Sequence, residues 1–307
     1  MNKILITGGA GFIGSNLCRY LSDKDYNNIV VMDNLSTGDK NRISQCIIES
    51  DVMNLSEAVY ATNDVDIVIH LAAQIDVMNS ISNPFNDMYN NVLGTLNVLQ
   101  ACMINGVKKF ILASSNAVPG DNLPPVNEGI APKPMSPYGA SKLAGEGYCS
   151  AFYYSYGLET VALRFANAYG PGALNQEGVV SLFMKQILKD GSVTVFGDGK
   201  QTRDFVYVDD ICQAIYKAMI MSNIGGKVFQ VATEIETSIL ELINLIEKIY
   251  GKDVVKNFKD TRKGEIRENY SDISLARKVL NFEPKWSLNE GLKETFNWFE
   301  ENYHSEN

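Results

Sequence analysis

Histidine is scarce in this chain of 307 residues, which contains only two. His70 ends the apolar stretch Ile67-Val68-Ile69, and His304 lies in the polar C-terminal segment. A Ser-His-Asp triad needs an imidazole base, and many transition-metal sites use several imidazoles. The sequence therefore argues against a histidine-based hydrolase and against a metal site. We expect tyrosine to carry out any proton transfer.

Cysteine and long apolar stretches are also limited. No uninterrupted apolar stretch approaches the ~20 residues of a transmembrane helix. The formal net charge of -9 argues against nucleic acid or an anionic membrane as a partner. We expect a cytoplasmic protein with free thiols, because the cysteines have no C-x-x-C spacing and are odd in number: Cys18, Cys46, Cys102, Cys149 and Cys212.

A glycine-rich turn follows the first apolar stretch, Ile4-Leu5-Ile6. Gly9, Gly11 and Gly14 fit the pattern G-x-G-x-x-G, in which glycines allow a tight turn and a close approach of the backbone to a pyrophosphate. A helix from about Phe12 would direct its positive N-terminal end at the phosphates. Alternatively, the glycines only close a tight connection between strand and helix.

Asp33 favours the dinucleotide interpretation. It ends a second apolar stretch, Ile29–Met32, about twenty residues after the glycines, where a carboxylate accepts hydrogen bonds from ribose hydroxyls. The same carboxylate repels a 2'-phosphate, and Asn34-Leu35-Ser36 contains no basic residue. The sequence therefore predicts NAD as the cofactor rather than NADP.

Tyr138 and Lys142 lie four residues apart, so they share one face of a helix. Ser136-Pro137 supplies an N-cap and a proline at the first helical position, which fixes where this helix begins. We expect the Lys142 ammonium to stabilise a Tyr138 phenolate and to lower the phenol pKa from its usual value of about 10. Alternatively the two residues form an ordinary surface pair. The upstream Ser114-Ser115, at the end of another strand-like stretch, favours an acid/base site.

The first half alternates strand-like and helical stretches, which is typical of a parallel sheet with right-handed crossovers. We predict strands near residues 3–7, 28–33, 46–50, 65–71, 107–114, 158–164 and 228–232. The predicted fold is α/β: a Rossmann-type doubly wound parallel sheet with a smaller, mostly C-terminal α/β domain. Residues 1–166, with the returning strand near 228–232, are expected to bind NAD. Residues 167–307 are expected to form the interleaved substrate domain.

Helices in the second half have recognisable starts. Ser238 with Glu241, and Ser287 with Glu290, have the spacing of capping boxes. Other helices are predicted near residues 180–190 and from about residue 209. The stretch Gly120–Pro134 contains four prolines and is predicted to be a loop. It either covers the site or is a plain solvent loop.

Ten short motifs, spread over nearly the whole chain, make the sequence similar to a known family. It resembles the extended short-chain dehydrogenase/reductases, and within them the nucleotide-sugar 4-epimerases related to UDP-glucose 4-epimerase. The motifs are Thr7-Gly8-Gly9-Ala10-Gly11-Phe12-Ile13-Gly14, Asp33-Asn34-Leu35, His70-Leu71-Ala72-Ala73, Asn91-Val92-Leu93-Gly94-Thr95, Ser114-Ser115, Tyr138-Gly139-Ala140-Ser141-Lys142, Arg164-Phe165-Ala166-Asn167, Gly197-Asp198-Gly199, Arg203-Asp204-Phe205 and Arg262-Lys263-Gly264-Glu265.

The resemblance implies roles for individual residues. The implied catalytic residues are Ser115, Tyr138 and Lys142. The implied NAD site consists of Gly8, Gly11, Phe12, Ile13, Gly14, Asp33, Asn34, Asp51, Val52, Leu71, Ala72, Ala73, Asn91, Ser114, Tyr138 and Lys142. The implied UDP-sugar site consists of Ser115, Asn167, Thr194, Phe196, Arg203, Arg262 and Asn269. In that site Asn167 and the two arginines contact the diphosphate, and Thr194 and Phe196 lie along the uracil. Arg164 is expected to be structural.

The resemblance also implies a mechanism. The Tyr138 phenolate takes the proton of the sugar 4-hydroxyl, helped by Ser115 and Lys142, while hydride passes from C4 to tightly held NAD. The 4-keto sugar then turns over in the pocket and accepts the hydride on its other face. The nucleotide must therefore be held firmly and the hexose loosely.

Residues after the serine pair distinguish branches of the family. The 4,6-dehydratases carry an Asp-Glu pair there and the decarboxylases a Glu, whereas this chain has Asn116-Ala117. Simple epimerisation is therefore favoured.

Two departures from the family pattern concern the sugar pocket: Pro119-Gly120 replaces the usual Tyr-Gly, and Ile75 stands where some UDP-galactose epimerases have Lys. UDP-glucuronate epimerases, dehydratases and reductases remain alternatives, as does a non-catalytic NAD-sensing module.

Asn269 occupies the position at which UDP-glucose 4-epimerases gate the C2 substituent of the sugar. A large Tyr there excludes an N-acetyl group, so Asn269 predicts that UDP-N-acetylglucosamine is accepted alongside UDP-glucose. Alternatively Asn269 is a solvent-facing turn residue and Tyr270 fills the gate.

The relatives form homodimers through two helices, which correspond here to residues of about 84–105 and 137–155. Both segments carry apolar faces, which either a second subunit or the core of the same chain would cover. We therefore expect a homodimer.

Overall fold

Thirteen strands make up the sheets of the protein, for which a computed structural model describes residues 2–261 and 266–303. All seven strands predicted from the sequence are present. The strands are β1 (Ile4–Thr7), β2 (Ile29–Asp33), β3 (Cys46–Glu49), β4 (Ile67–His70), β5 (Lys109–Ser115), β6 (Glu159–Phe165), β7 (Asn167–Tyr169), β8 (Ser192–Phe196), β9 (Thr202–Arg203), β10 (Phe205–Tyr207), β11 (Lys227–Val231), β12 (Thr237–Ser238) and β13 (Val255–Lys259).

The central sheet has seven parallel strands in the order β11-β6-β5-β4-β1-β2-β3. The order reverses between β1 and β4, and ligands of open α/β sheets bind in the crevice outside such a switch point. Because the strands are parallel, Thr7, Asp33, His70 and Ser115 all end at the same edge. The predicted Rossmann-type architecture is confirmed.

Eleven α-helices connect the strands of the described residues. They are α1 (Phe12–Ser22), α2 (Leu55–Ala61), α3 (Val77–Ser82), α4 (Pro84–Met88), α5 (Gly94–Asn105), α6 (Pro137–Tyr156), α7 (Val179–Asp190), α8 (Val208–Ile220), α9 (Ile239–Tyr250), α10 (Ser274–Leu280) and α11 (Leu288–Asn302). A π-helical segment, Tyr89–Leu93, joins α4 to α5, and a 3-10 turn covers Lys40–Arg42. Within residues 2–261 and 266–303, no helix is both long and apolar enough to cross a membrane.

Side chains of the central sheet alternate between two apolar cores, as the pleat of a strand requires. Leu5, Val68 and Phe110 pack with α2, α5 and α6 on one face. Ile6 and Ile69 pack with α1 and α8 on the other face, where the core continues into the C-terminal elements. Both faces of the sheet are covered by helices, which explains why its strands appear in the sequence as nearly continuous apolar stretches.

Three two-stranded sheets lie in the second half of the chain. β7 pairs with β10 and β8 with β13 in parallel, and β9 pairs with β12 in antiparallel register. The predicted capping boxes are confirmed: the Ser238 and Ser287 hydroxyls accept from the amides of Glu241 and Glu290, and each glutamate side chain bonds back to the N-cap amide. The helices predicted near residues 180–190 and 209 are α7 and α8.

The loop Gly120–Pro134 is attached at both ends and in its middle. Gly120 forms a bridge with Lys133, and Val126 forms a bridge with Ser271. Val126 is 2% exposed, and its amide donates to the Tyr270 carbonyl. The loop is therefore packed against residues 270–272, directly after Asn269, and the interpretation as a plain solvent loop is wrong.

Arg164 has the structural role expected of it. Its guanidinium forms a bidentate ion pair with Glu146 of α6, with Nε–O and Nη2–O distances of 2.8 Å, and both side chains are at most 5% exposed. The Ser114 hydroxyl donates to the same carboxylate at 2.5 Å. A buried pair of this kind is costly to break from one side, because the remaining charge is left without a partner. It fixes α6 against the ends of β5 and β6.

Candidate active site

The glycine-rich turn is packed too closely for side chains. A Cβ on Gly8, which has a φ of +68°, would lie 2.7 Å from the Ala72 nitrogen, and a Cβ on Gly14 would lie 2.3 Å from the Gly8 carbonyl oxygen. Gly11 is the N-cap of α1 and has no side chain to satisfy the first amides. The amides of Phe12 and Ile13 therefore point from a helix N-terminus toward the place where a pyrophosphate would bind.

Asp33 is buried at the end of β2, and its carboxylate organises the turn. One oxygen accepts from the Ala10 amide and the other from the Leu35 amide, both at 2.9 Å. Each oxygen keeps a lone pair with which it can accept a ribose hydroxyl. Of the two basic residues of the following 3-10 turn, Lys40 is exposed, and Arg42 donates to the Gly172 carbonyl at 2.7 Å. This arrangement fits NAD.

The other residues expected around the adenosine lie beside Asp33. Asn34 donates from its amide nitrogen to the Asp51 carboxylate at 2.9 Å, and Asp51 also accepts from the Met53 amide at 2.8 Å. Val52 is buried, and its side chain packs against Gly94 at the start of α5. Asn34 and Asp51 are thus held at the ends of β2 and β3.

His70 is a structural residue that orders the segment Leu71–Ala73. Its Nδ1 lies 2.7 Å from the Thr7 hydroxyl, and its Nε2 lies 3.1 Å from the Thr95 hydroxyl. The Thr95 hydroxyl donates to the Asn91 carbonyl at 2.6 Å, so Nε2 must be the protonated nitrogen and Nδ1 the acceptor. Burial, with the charge of Lys142, lowers the pKa of His70 to about 3, so it is neutral. The Ala72 amide donates to Thr7 at 3.3 Å.

Ser115, Tyr138 and Lys142 meet at the end of β5. The predicted start of α6 is confirmed: the Ser136 hydroxyl accepts from the Gly139 amide at 3.1 Å. Lys142 Nζ donates to the Ala113 carbonyl at 3.0 Å and lies 5.8 Å from the centre of the Tyr138 ring. Ser115 accepts from the Ala117 amide at 3.1 Å, so its own hydrogen is available for its hydrogen bond to Tyr138.

The expectation that Lys142 lowers the pKa of Tyr138 below its usual value is wrong for the protein alone. Burial raises the pKa of Tyr138 to about 12, and the Ser115 hydrogen bond opposes this rise only in part. Burial also lowers the pKa of Lys142 to about 8, although the Asp87 carboxylate raises it. Desolvation thus shifts both pKa values more than the nearness of the two groups on one helix does. The spacing of the residues in the sequence could not show this.

Asn91 lies in the π-helical segment and is fixed on several sides. Its side-chain oxygen accepts from the Gln74 amide and its nitrogen donates to the Gln74 carbonyl, both at 2.8 Å. The same nitrogen donates to Asp87 at 3.0 Å and lies 3.1 Å from the Ser141 hydroxyl. Asp87 was not identified from the sequence, since a lone Asp in a polar stretch gives no signal there.

Ser114 differs in detail from its implied role in the NAD site. Its hydroxyl donates to Glu146, in the interior between α6 and the sheet. The side chain is therefore committed to the Glu146–Arg164 pair. The backbone of Ser114 is the part of the residue that can face a cofactor.

Residues expected at the nucleotide-sugar site lie around Asp204, which is fully buried. Asn167 bonds to the Asp204 carbonyl through its backbone amide at 2.9 Å and through its side chain at 3.3 Å. Arg203 Nη1 donates to the carbonyls of Thr202 at 2.7 Å and Ile266 at 2.8 Å. Thr194 and Phe196 are half-buried on β8, in register with β13. Arg262 lies outside the described residues.

Asn269 is buried and does not face solvent. It is 9% exposed, and its side-chain oxygen accepts from the Asn116 side chain at 2.5 Å. Asn116 also donates to the Ser271 hydroxyl at 3.0 Å. The interpretation of Asn269 as a solvent-facing turn residue is wrong. Asn116 directly follows Ser115 in the chain, so the Asn116–Asn269 contact lies next to the end of β5.

Comparison with known proteins agrees with this geometry: residues 4–232 match the NAD dependent epimerase/dehydratase family. The chain belongs to that family. A putative UDP-glucose 4-epimerase of Methanocaldococcus jannaschii is 40% identical over 97% of this chain and 99% of its own. NAD is thus the cofactor of an enzyme of this family, and the residues around Asp33 and the glycine-rich turn fit it.

Two solved structures are similar over nearly the whole fold. The UDP-glucose 4-epimerase of Thermotoga maritima with UDP-glucose has a TM-score of 0.92 and 37% identity, covering 97% of this chain and 98% of that one. The UDP-N-acetylglucosamine 4-epimerase of Methanobrevibacter ruminantium, in complex with UDP-N-acetylmuramic acid, has a TM-score of 0.92 and 34% identity, covering 98% and 99%. These two similar structures thus belong to epimerases that are named for different sugars.

Replacing Asp33 by Asn tests the role of its charge toward the cofactor. Asp33→Asn keeps the size and one acceptor oxygen but removes the charge that repels a 2'-phosphate. We expect NAD affinity to fall roughly tenfold, since a hydrogen bond to a charged group is worth about 1.5–3 kcal/mol, and discrimination against NADP to weaken. Fluorescence titration with both nucleotides measures this.

The matched control for that variant is Asp39→Asn, which removes the same charge from an exposed N-cap a few residues later. It should leave both affinities unchanged. An unchanged ratio of NAD to NADP affinity in Asp33→Asn would show that the carboxylate only organises the turn.

Proposed function

We propose that this protein is an NAD-dependent 4-epimerase of UDP-hexoses that works through a transient 4-keto sugar. The observation that carries the proposal is the meeting of Ser115, Tyr138 and Lys142 at the carboxyl edge of the sheet, without a carboxylate at positions 116 and 117. Residues 1–166 and the returning strand β11 would hold NAD, and residues 167–307 the nucleotide sugar.

Tyr138 is the base in the proposed reaction. It removes the proton of the sugar 4-hydroxyl, and Ser115, whose hydrogen is directed to the phenol oxygen, stabilises the phenolate. Bound NAD supplies the hydride acceptor, and its positively charged ring favours the phenolate. Lys142 is held at the Ala113 carbonyl, where its ammonium adds a second positive charge. These charges must offset the burial that keeps the phenol neutral in the protein alone.

The NAD site of the proposed enzyme would be formed by the residues already implied by the resemblance. The amides of Gly11, Phe12 and Ile13 would bind the pyrophosphate, and Asp33 the ribose. Leu71, Ala72 and Ala73 line the end of β4, where Thr7 and His70 fix their backbone. Asn91 would lie beside the nicotinamide half.

Dehydration is a less suitable reaction for this pocket. It requires a base at C5 and an acid at C6 after oxidation at C4, and the positions that supply them in dehydratases are Asn116 and Ala117 here. Asn116 is committed to Asn269 and Ser271. An NAD-sensing module would not need the buried contacts among Ser115, Tyr138 and Lys142. A panel of UDP- and dTDP-sugars, with chromatography of the products, separates these activities.

Tyr138→Phe tests the assignment of the base. Loss of a positioned acid/base group costs roughly 10²- to 10⁴-fold in rate, so we expect turnover to fall by that factor while NAD stays bound. Tyr148→Phe, on the same helix and partly exposed, is the control and should be fully active. Near-normal turnover of Tyr138→Phe would contradict the role of Tyr138 as the base. Ser115→Ala should cost less, because it removes one hydrogen bond and not the base.

The sugar specificity is proposed to include UDP-N-acetylglucosamine. Asn269 and Asn116 form a small polar contact at the pocket wall, and a Tyr at position 269 would have to displace Asn116. Asn269 can also hydrogen-bond an amide, which suits an N-acetyl group at C2. The enzyme should therefore act on both UDP-glucose and its N-acetylated counterpart.

Asn269→Tyr should lower kcat/KM far more for UDP-N-acetylglucosamine than for UDP-glucose. Discrimination built on the fit of a small group is worth about 1–3 kcal/mol, or roughly 10- to 200-fold. Tyr270→Phe is the control for an error of one residue in the assignment of the gate. It should change kcat/KM little for either substrate. An equal loss for both sugars in Asn269→Tyr would place the gate elsewhere.

We also propose that the protein is a homodimer. Large apolar side chains are exposed along α4, the π-helical segment and α6, which contact one another: Phe85 70%, Met88 37%, Tyr89 48%, Leu93 36%, Tyr148 36% and Tyr154 78%. Exposed apolar side chains concentrated on neighbouring elements are typical of an interface. They lie in the segments that the resemblance implies for the dimer.

Phe85→Glu should convert the dimer to a monomer, because it would place an unpaired charge in the apolar interface. Sedimentation velocity over a range of concentrations measures the shift. Ile220→Glu, at the exposed end of α8, is the matched control and should leave the dimer intact. A wild-type protein that sediments as a monomer at all concentrations would contradict the proposal.

A further inference from the structure

Asp87 is a buried carboxylate inside the active site for which the mechanism above has no use. It lies on α4 and is 1% exposed. Its Oδ1 accepts from the Asn91 side chain at 3.0 Å and from the Gln74 side chain at 3.2 Å. Burial of a carboxylate is unfavourable unless hydrogen bonds and an opposite charge compensate it. Two neutral donors compensate only part of that cost.

The opposite charge in this region is Lys142. Burial raises the pKa of Asp87, while the positive charge of Lys142 lowers it. The same carboxylate raises the pKa of Lys142 against its desolvation, and it raises the pKa of Tyr138. Asp87 therefore acts electrostatically on both members of the pair that transfers the proton.

Other charged groups near Lys142 cannot replace Asp87. His70 of β4 is neutral, and Glu146, one turn further along α6, is paired with Arg164. The π-helical segment contributes Tyr89, whose side chain is exposed, and β5 contributes Lys109 at its opposite end. Among the described residues packed against α6, Asp87 on α4 is the carboxylate whose charge acts on Lys142.

We propose that Asp87 is a positioning residue of the Tyr138–Lys142 pair: it fixes Asn91 by a hydrogen bond and supplies the negative charge that keeps Lys142 an ammonium. This inference rests on the proposed catalytic role of that pair. Through its hydrogen bond with Asn91, Asp87 is connected to Gln74 after β4 and to Ser141 on α6. One carboxylate thus couples the end of β4, the π-helical segment and α6.

The sign of the effect follows from the charges. A negative group stabilises an ammonium and destabilises a phenolate, so its loss lowers the pKa of Lys142 from about 8 and that of Tyr138 from about 12. Activity should rise as Tyr138 is deprotonated and fall as Lys142 is deprotonated. Both the rising and the falling limb of the pH profile of kcat would then shift to lower pH in a variant without the charge. A residue with a merely structural role would lower activity without moving the limbs.

Asp87→Asn is the decisive variant, because it keeps the shape and an acceptor for Asn91 but removes the charge. We expect both limbs of the kcat profile to move to lower pH by on the order of one unit, with NAD content and UDP affinity unchanged. Asp76→Asn, which removes a charge from the N-cap of nearby α3 and retains its capping oxygen, should leave the profile where it is. Phenolate absorbance, as the difference from the matching Tyr138→Phe protein, gives the pKa of Tyr138 without turnover.

Asp87→Glu separates charge from packing. It keeps the charge but lengthens the side chain, so its limbs should stay at the wild-type pH even where kcat falls. It also provides the test if Asp87→Asn does not fold. Limbs that do not move in Asp87→Asn, or that move equally in Asp87→Glu, would overturn the inference. If Tyr138→Phe is itself active, the failure lies in the proposed function rather than in Asp87.

Discussion

The close contact of the β1–α1 turn with residues 71 and 72 is the constraint on which the rest of the site depends. Gly8 and Gly14 have no room for a Cβ, so α1 packs directly against the carboxyl ends of β1 and β4. Its N-terminal amides then lie in the crevice beside Asp33. Because all seven strands are parallel, this same edge also presents Ser115. One steric requirement therefore brings an anion site and an acid/base site to the same crevice.

Burial creates the second constraint, and it opposes the chemistry. Tyr138 and Lys142 are pushed toward their neutral forms, with pKa values of about 12 and about 8. The proposed reaction needs the charged form of each. A low-dielectric site strengthens every compensating charge, so a bound cationic ring and the carboxylate of Asp87 can have large effects there. This energetic opposition explains why the pair is surrounded by so many fixed polar groups.

The sequence predicts much of this fold because parallel strands buried on both faces are continuous apolar stretches, and capping boxes have a fixed spacing. It also predicts that Tyr138 and Lys142 lie on one helix, since Ser136-Pro137 marks its start and a separation of four residues defines a helix face. It could not show the sign of the Tyr138 pKa shift, which depends on burial by distant elements. Nor could it show the roles of Asp87 and Asn116. Asn116 meets Asn269 across 153 positions of sequence, and no local pattern encodes such a contact.

Firm and loose binding can be built from different elements of one pocket. Asp204 is buried and accepts hydrogen bonds from Thr233 at 2.7 and 2.8 Å and from the Glu234 amide at 2.9 Å. Its carbonyl binds Asn167 on the neighbouring strand, so this one proposed diphosphate residue belongs to a rigid network. The proposed sugar wall consists of two short amides, Asn116 and Asn269, with Ser271 as a further partner of Asn116. A hexose that must present both faces to the same cofactor requires short side chains of this kind, because tight contacts to the sugar would hold it in one orientation.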